Sequence, residues 1–390
     1  MRKVVNLNQT PSALQILSQL AMSFGIVILF ALGTTLIGLY LAAFVTGLPA
    51  ESFSNMNAVE SSPQTINGLK IIQIFSQIGT FLIPALLLPV MFFKVNPYKF
   101  TGFTGRSHFF LYVLALLSFF AFMPLLELVI TLNQKMDFPA ALQGVEDWMR
   151  ASEENNAKLM KHFLYMPNMS VFLVNVFMMA VLPAFAEEFF FRGFVQRTMY
   201  TWWQNKHAAV IFSAIFFSAI HMQFFGFFPR MFLGMLLGYL LVWSGDLKLP
   251  IFVHFLNNLT SLIVAYLNQD KLNEFDINAP IAEYPFYIYI LSALAGGFLL
   301  YQLYKVSRKR RNSGDAESLQ IETGDIQWAK AFSTQSIYEA EIVAGNLQSE
   351  GIHAVVFNKK DSSYGFGIVE VHVHAEDLER AQQLISSFEL

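Results

Sequence analysis

The sequence predicts an α-helical polytopic membrane protein of about eight transmembrane helices, followed by a small cytosolic α+β domain of order β-α-β-β-α. Composition is the first reason: of 390 residues, 55% are hydrophobic and only 14% charged, whereas soluble globular chains average nearer a quarter charged. Uneven charge is the second. Residues 1–305 hold 15 acidic and 17 basic side chains, and residues 306–390 hold 13 and 8. The third is a series of charge-free apolar stretches, all but one of bilayer-spanning order. A net charge of −3 excludes nucleic-acid binding through bulk positive charge. The absence of cysteine excludes disulfides, cysteine nucleophiles and thiolate metal sites.

A spanning helix needs about 20 mostly apolar residues. Residues 4–50 carry no charge, and Leu14–Thr46 within them suits one tilted helix. It follows only Arg2 and Lys3, is too long for a signal-peptide core and is read as retained. The next uncharged stretches are 71–93, 107–126, 162–186, 207–229, 231–245, 249–269 and 284–304. The short stretch 231–245 borrows Phe224–Pro229 or lets Arg230 snorkel to the interface.

Loop charges orient the bundle. Arg2 and Lys3, then Lys94, Lys99 and Arg106, then Arg197 and Lys206, then Lys248, then Arg308–Arg311 fall on one face. Glu51, Glu60, Asp137, Glu146, Asp147, Glu153, Glu154, Asp270, Glu274, Asp276 and Glu283 fall on the other. The expectation is a protein integral to the cell (inner) membrane, with both termini cytoplasmic. The loop from Asn133 to Lys161 is partly helical on the outer surface.

This divides the chain into a membrane domain, 1–307, a basic stop with a polar linker, 308–325, and a cytosolic module, 326–390. In the module, 327–332 reads as a strand. Ser336–Glu350 has helical spacing through Ile337, Ala340, Val343 and Leu347, and Gly351 stops it. Ile352–Asn358 and Gly367–His374 are two more strands, and Ala375–Phe388 is an amphipathic helix. That order suits a small α+β sandwich. Through EAEIVAGNLQSEGI (Glu339–Ile352) the module resembles a short bacterial family described as a putative signal-transducing domain. Its implied partner is a regulator of unknown identity. His372 and His374 share a strand face, but two ligands make an incomplete metal set.

The informative positions are polar groups inside spans, where a charge costs about 2.5–3.5 kcal/mol on the insertion scale. AEEFFFRG places Glu187, Glu188 and Arg192 beside three phenylalanines. Glu188 and Arg192 are four apart, acid first, and can pair along the helix. Glu187 lies about 100° round the axis and is free of that pair. Phe217 and His221 lie one turn apart in the next segment. His254 and Asn258 share a face at i and i+4. Glu187 lies 17 residues before Gln204 and His221 lies 17 after it, so an antiparallel hairpin sets the two at one depth. His254, close after the Gly245–Lys248 turn, reads as shallower, so either the Glu187 segment projects past the bilayer or the His254 segment dips inward.

The three motifs EExxxR (Glu187, Glu188, Arg192), FxxxH (Phe217, His221) and HxxxN (His254, Asn258) occur in order within about 165–270. Together they resemble the CPBP family of intramembrane proteases, which includes the Ras-converting-enzyme type of CAAX protease and the bacterial Abi proteins. The resemblance implies an endopeptidase that hydrolyses a peptide bond of a membrane-associated protein substrate with Glu-activated water. It makes Glu187 the base, His221 a positioning or protonating group, and His254 with Asn258 oxyanion donors. Glu188 and Arg192 hold the helix, and Phe217 supports. The implied partners are the lipid bilayer and a membrane-anchored peptide or protein substrate; no nucleic acid is expected.

The family also carries a metalloprotease label, and Glu187, His221 and His254 form a two-His, one-carboxylate set for zinc. No HExxH helix is present, and a ligating Glu187 ceases to be a base, so metal-free chemistry is favoured. Two other readings stay open. One is a non-catalytic scaffold or immunity protein that keeps the motif residues. The other is a proton-coupled carrier, disfavoured because no matching halves are found.

Overall fold

The computed structural model describes residues 12–53, 62–136, 138–271, 284–312, 328–352, 354–358, 368–374 and 377–388. The chain divides into two compact units, 1–321 and 322–390. The expected polar linker after Asn312 lies outside the described residues, as do Glu60, Asp137, Glu274, Asp276 and Glu283.

In the larger unit, α1 (Ala13–Thr46) opens with a capping box between Ser12 and Gln15 and closes on Gly47 at φ 70°. Its large apolar side chains point outward, Phe44 being 85% exposed, as a lipid-facing helix requires. Then come α2 (Pro63–Phe93), α3 (Phe109–Gln134), α4 (Gln143–Leu164) and α5 (Met169–Trp203). They are followed by α6 (Lys206–Ala219), α7 (Phe227–Ser244), α8 (Lys248–Leu267) and α9 (Phe286–Asn312).

Seven of these are long and apolar enough to cross a membrane; α6 is shorter. Its 14 residues span about 21 Å at 1.5 Å each, short of a hydrocarbon core about 30 Å thick. The expected segment 207–229 therefore breaks early, and the turn that carries His221 lies part-way along the bundle. The next span begins at Phe224, so it takes in the expected Phe224–Pro229 extension, and Arg230 follows six residues after its start. The helical part expected within 133–161 is α4, a polar helix.

Helix α5 runs past the α7–α8 turn. The α7–α8 turn lies beside the middle of α5: a Cβ on Gly193 would stand 3.5 Å from Leu247 Cδ2. The turn is anchored there by Leu247 N–H donating to Gly102 O at 3.1 Å. Buried Asp246 accepts from Ser107 N at 2.8 Å. The helix α5 then runs on to Trp203, ten residues beyond Gly193. His254 and the acidic pair thus meet at one level.

The phenylalanine run on α5 is core. Phe189, Phe190, Phe191 and Phe194 are all buried, and Phe190 and Phe191 pack against Phe81 of α2 at 5.6 and 5.7 Å between ring centroids.

The smaller unit has β1 (Trp328–Thr334), α10 (Ile337–Ser349), β2 (Ala354–Asn358), β3 (Val369–His374) and α11 (Leu378–Ile385). This is the order read from the sequence. The sheet is antiparallel throughout, β1-β3-β2. Alternation on β3 sends Val369, Val371 and Val373 into a core with Val343, Leu347 and Ala381. On the other face His372 Nε2 stands 2.8 Å from Glu370 Oε2. That pairs His372 with a carboxylate; the side chain of His374 lies outside the described ones.

Candidate active site

Local chain chemistry in α5 sets the site. Two π-helical stretches, Val176–Val181 and Phe189–Val195, flank the α-helical turn Leu182–Glu188. Such bulges concentrate at functional sites because they loosen the backbone ladder and re-aim side chains. Pro183 has no N–H for the carbonyl four residues back, Met179. That carbonyl accepts instead from Asn258 Nδ2 on α8 at 3.1 Å. In the second stretch Ser213 Oγ of α6 donates to Phe191 O at 2.9 Å. Neighbouring helices thus satisfy the groups the irregular helix leaves open.

Glu187 and Glu188 end up on different tasks. Glu188 Oε1 accepts from Arg192 Nη1 at 2.8 Å and from His254 Nδ1 at 2.9 Å. Glu188 and Arg192 are fully buried and His254 is 3% exposed. Arg192 Nη2 also donates to Gly234 O of α7 at 3.2 Å, and its guanidinium carbon lies 4.4 Å from the Phe217 ring centre. The expected i,i+4 pair is present, and it reaches a third partner the spacing did not show. With Nδ1 hydrogen-bonded to Glu188, His254 presents its other ring nitrogen, Nε2, towards Glu187. That nitrogen stands 3.8 Å from Glu187 Oε2.

His221, at the end of α6, donates Nδ1–H to Phe217 O at 2.7 Å, so its Nε2 is also free. The Phe217 ring is a wedge, 5.0 Å from His221 and 5.9 Å from His254 between centroids. No hydrogen bond or ion pair joins Glu187 to His221 among the described residues. Asn258 is one turn from His254; one of its two amide hydrogens serves Met179, and its Oδ1 accepts from Asn257 at 3.1 Å.

Four further residues carry the turn from 220 to 228. Met222 adopts φ 52°. Buried Asn133 of α3 accepts from Phe228 N at 2.8 Å and donates to Phe224 O at 3.1 Å. Glu153 of α4 accepts from Phe225 N at 2.7 Å. Burial raises the Glu153 carboxyl above its ordinary range, although this N–H opposes the shift. Arg230 donates to the Gln223 carbonyl at 3.4 Å and to Gln223 Oε1. Asn133 and Glu153 sit in a loop the sequence marked only as partly helical, and nothing local flags them. Arg230 carried a signal, an intramembrane cation.

The zinc set does not fit the side chains present. Glu187 and His254 approach one another, yet among the described residues no three His, Cys, Asp or Glu side chains converge on a common point. A zinc site of this kind takes three protein ligands.

Comparison with known proteins agrees with the motif region. No curated protein and no solved structure matches. Residues 328–389 match the family model of the putative prokaryotic signal transducing proteins. Residues 169–260, which hold every residue of the three motifs, match that of the type II CAAX prenyl endopeptidases, Rce1-like. Seven membrane-length apolar helices around that region make the chain an integral membrane protein whose core carries the sequence pattern of a prenyl endopeptidase family.

Proposed function

We propose that the protein is an intramembrane endopeptidase of the CAAX type, acting on a membrane-anchored protein in the cell membrane, with both termini cytoplasmic. The observation that carries this reading is the facing pair Glu187 Oε2 and His254 Nε2 at 3.8 Å. Both groups accept hydrogen bonds, and one water fits between them at ordinary hydrogen-bond lengths of about 2.8 Å to each. Its two protons then point at the two acceptors, and its lone pair is free to attack.

The reaction uses metal-free glutamate chemistry. Glu187 takes a proton from the water as the oxygen attacks the carbonyl carbon, and returns it to the leaving nitrogen as the C–N bond breaks. A carboxylate 6% exposed among apolar side chains suits this exchange. Glu188 and Arg192 act through His254, holding its tautomer and orientation as a third group orients a base. His221 is the second positioning or protonating group.

Comparative proteomics of membrane peptides tests the reading, with cells carrying wild type set against Glu187→Gln. C-terminal fragments that need the carboxylate are expected. Identical peptide sets in the two strains speak for a non-catalytic role.

A further inference from the structure

Lys70 lies two turns inside the spanning helix α2 and is only 4% exposed. A lysine near a helix end ordinarily snorkels its ammonium into the interface. This one is enclosed, and among the described residues it has no hydrogen bond or ion pair. Seven residues on, Gln77 directly precedes the π-helical stretch Ile78–Leu82, and its Oε1 is buried without a partner among the described residues. Neither side chain takes part in the chemistry at Glu187. An intramembrane cation of this kind marks a functional site by default.

Helix geometry aims both residues at α5. Lys70, Ile74, Gln77 and Phe81 follow at i, i+4, i+7 and i+11, which is one stripe of a helix. Phe81 sets that stripe against α5, 5.6 Å from Phe190 and 5.7 Å from Phe191 between ring centroids. The opposite face of α2 belongs to α1, where Gly38 lies against Ile72 and Phe75, and Gly79 against Thr34. Toward the start of α2, Leu69 shares a core cluster with Met178 of α5. The two helices therefore run the same way with a constant offset. That offset sets Gln77 level with Glu187, and Lys70 level with Met179. The two levels lie about 10 Å apart at 1.5 Å per residue.

Resting on the endopeptidase reading, we propose that Lys70 binds the C-terminal carboxylate of the substrate, with the Gln77 amide holding the peptide between it and Glu187. A CAAX end carries three residues after its lipid-bearing cysteine, and the last has a free carboxylate. Three extended residues span about 10 Å, which is the separation between the Lys70 and Glu187 levels. A carbonyl placed for attack beside Glu187 thus brings the chain end to the ammonium. The Gln77 amide, with two donors and an acceptor, suits the backbone of an extended peptide. A buried cation is costly while it stands alone, and the substrate supplies the anion that pairs it. The site thereby selects a chain end over an internal segment.

The test uses the purified full chain in lipid vesicles and two internally quenched farnesylated CAAX peptides, identical except for a C-terminal acid or a C-terminal amide. The acid-to-amide ratio of kcat/KM is read in wild type, Lys70→Met and Lys70→Arg. A hydrogen bond between charged groups is worth about 10–100-fold in binding, so wild type is expected to favour the acid by that factor. Lys70→Met keeps the bulk of the stem and is expected to bring the ratio close to one, while Lys70→Arg retains part of it. The wild-type ratio is itself a test that needs no variant to fold. A ratio near one in wild type, or the wild-type ratio retained in Lys70→Met, overturns the assignment and leaves the endopeptidase reading intact. No hydrolysis of either peptide by wild type overturns both.

Discussion

Glu188 Oε1 accepts the Nδ1 proton of His254 at 2.9 Å across two helices distant in sequence. The same oxygen holds Arg192 at 2.8 Å, so one carboxylate ties the EExxxR motif to the HxxxN motif. Orientation of His254, and with it the water position proposed beside Glu187, depends on a buried carboxylate on the far side of the imidazole from Glu187.

Removing that charge leaves Arg192 buried and unpaired. Breaking one side of a buried pair costs about 3–5 kcal/mol, so Glu188→Ala is expected to lower the melting temperature strongly and to abolish turnover. Glu188→Gln keeps the shape and loses less stability, but still frees the His254 ring. Thermal melting in detergent, read beside turnover, separates the two effects.

Asn258→Ala leaves the Met179 carbonyl without its partner. An orphaned buried acceptor costs about 1–3 kcal/mol. Hydrogen exchange across 179–186 is expected to speed up in this variant, and Asn258→Gln to recover little, because one added methylene displaces the amide. Unchanged exchange would detach Asn258 from the helix bearing Glu187.

Gly238 on α7 lies under Gln196, whose Nε2 donates to the Gly238 carbonyl at 3.2 Å. A Cβ there would stand 2.7 Å from Gln196 Oε1 and 2.9 Å from Val210 Cγ1. Overpacking of this kind costs about 1–3 kcal/mol. Gly238→Ala is therefore expected to melt earlier than wild type, whereas Gly297→Ala, with open space around it, is expected to be neutral or slightly stabilising.

Docking of α4 on the 224–228 turn is pH-dependent through Glu153. Burial raises its docked-state carboxyl above the ordinary value of 4.5, so the docked form holds the proton more tightly. The contribution is fully present below the ordinary value and is lost as pH rises through the raised one. Exchange of the Phe225 amide, corrected for intrinsic rate, is expected to show tighter docking toward pH 5 than toward pH 8. Glu153→Gln flattens the dependence, and an unchanged slope in that variant assigns it to another group.

Much of this architecture is written in local chemistry. Charge-free lengths mark the spanning helices, and period-two alternation at Val369, Val371 and Val373 marks the strand and its inner face. The i,i+4 pair of Glu188 and Arg192 is legible because its geometry lies within one helix. What sequence spacing does not encode is contact between helices. The Glu188–His254 bond needs the α7–α8 turn to sit beside Gly193, which Gly102 and Asp246 bring about from loops far apart in the chain. Asn258 reads as a polar group facing the site until Pro183 is seen to free the Met179 carbonyl beside it.

Hydrolysis of a quenched farnesylated CAAX peptide by the purified protein in vesicles bears most directly on the central claim, with wild type set against Glu187→Gln and each run with and without chelator. General base catalysis contributes about 10²–10⁴-fold. The account predicts that Glu187→Gln loses at least that much turnover at unchanged melting temperature, and that chelation leaves the wild-type rate unaltered. Equal rates for wild type and Glu187→Gln would contradict it.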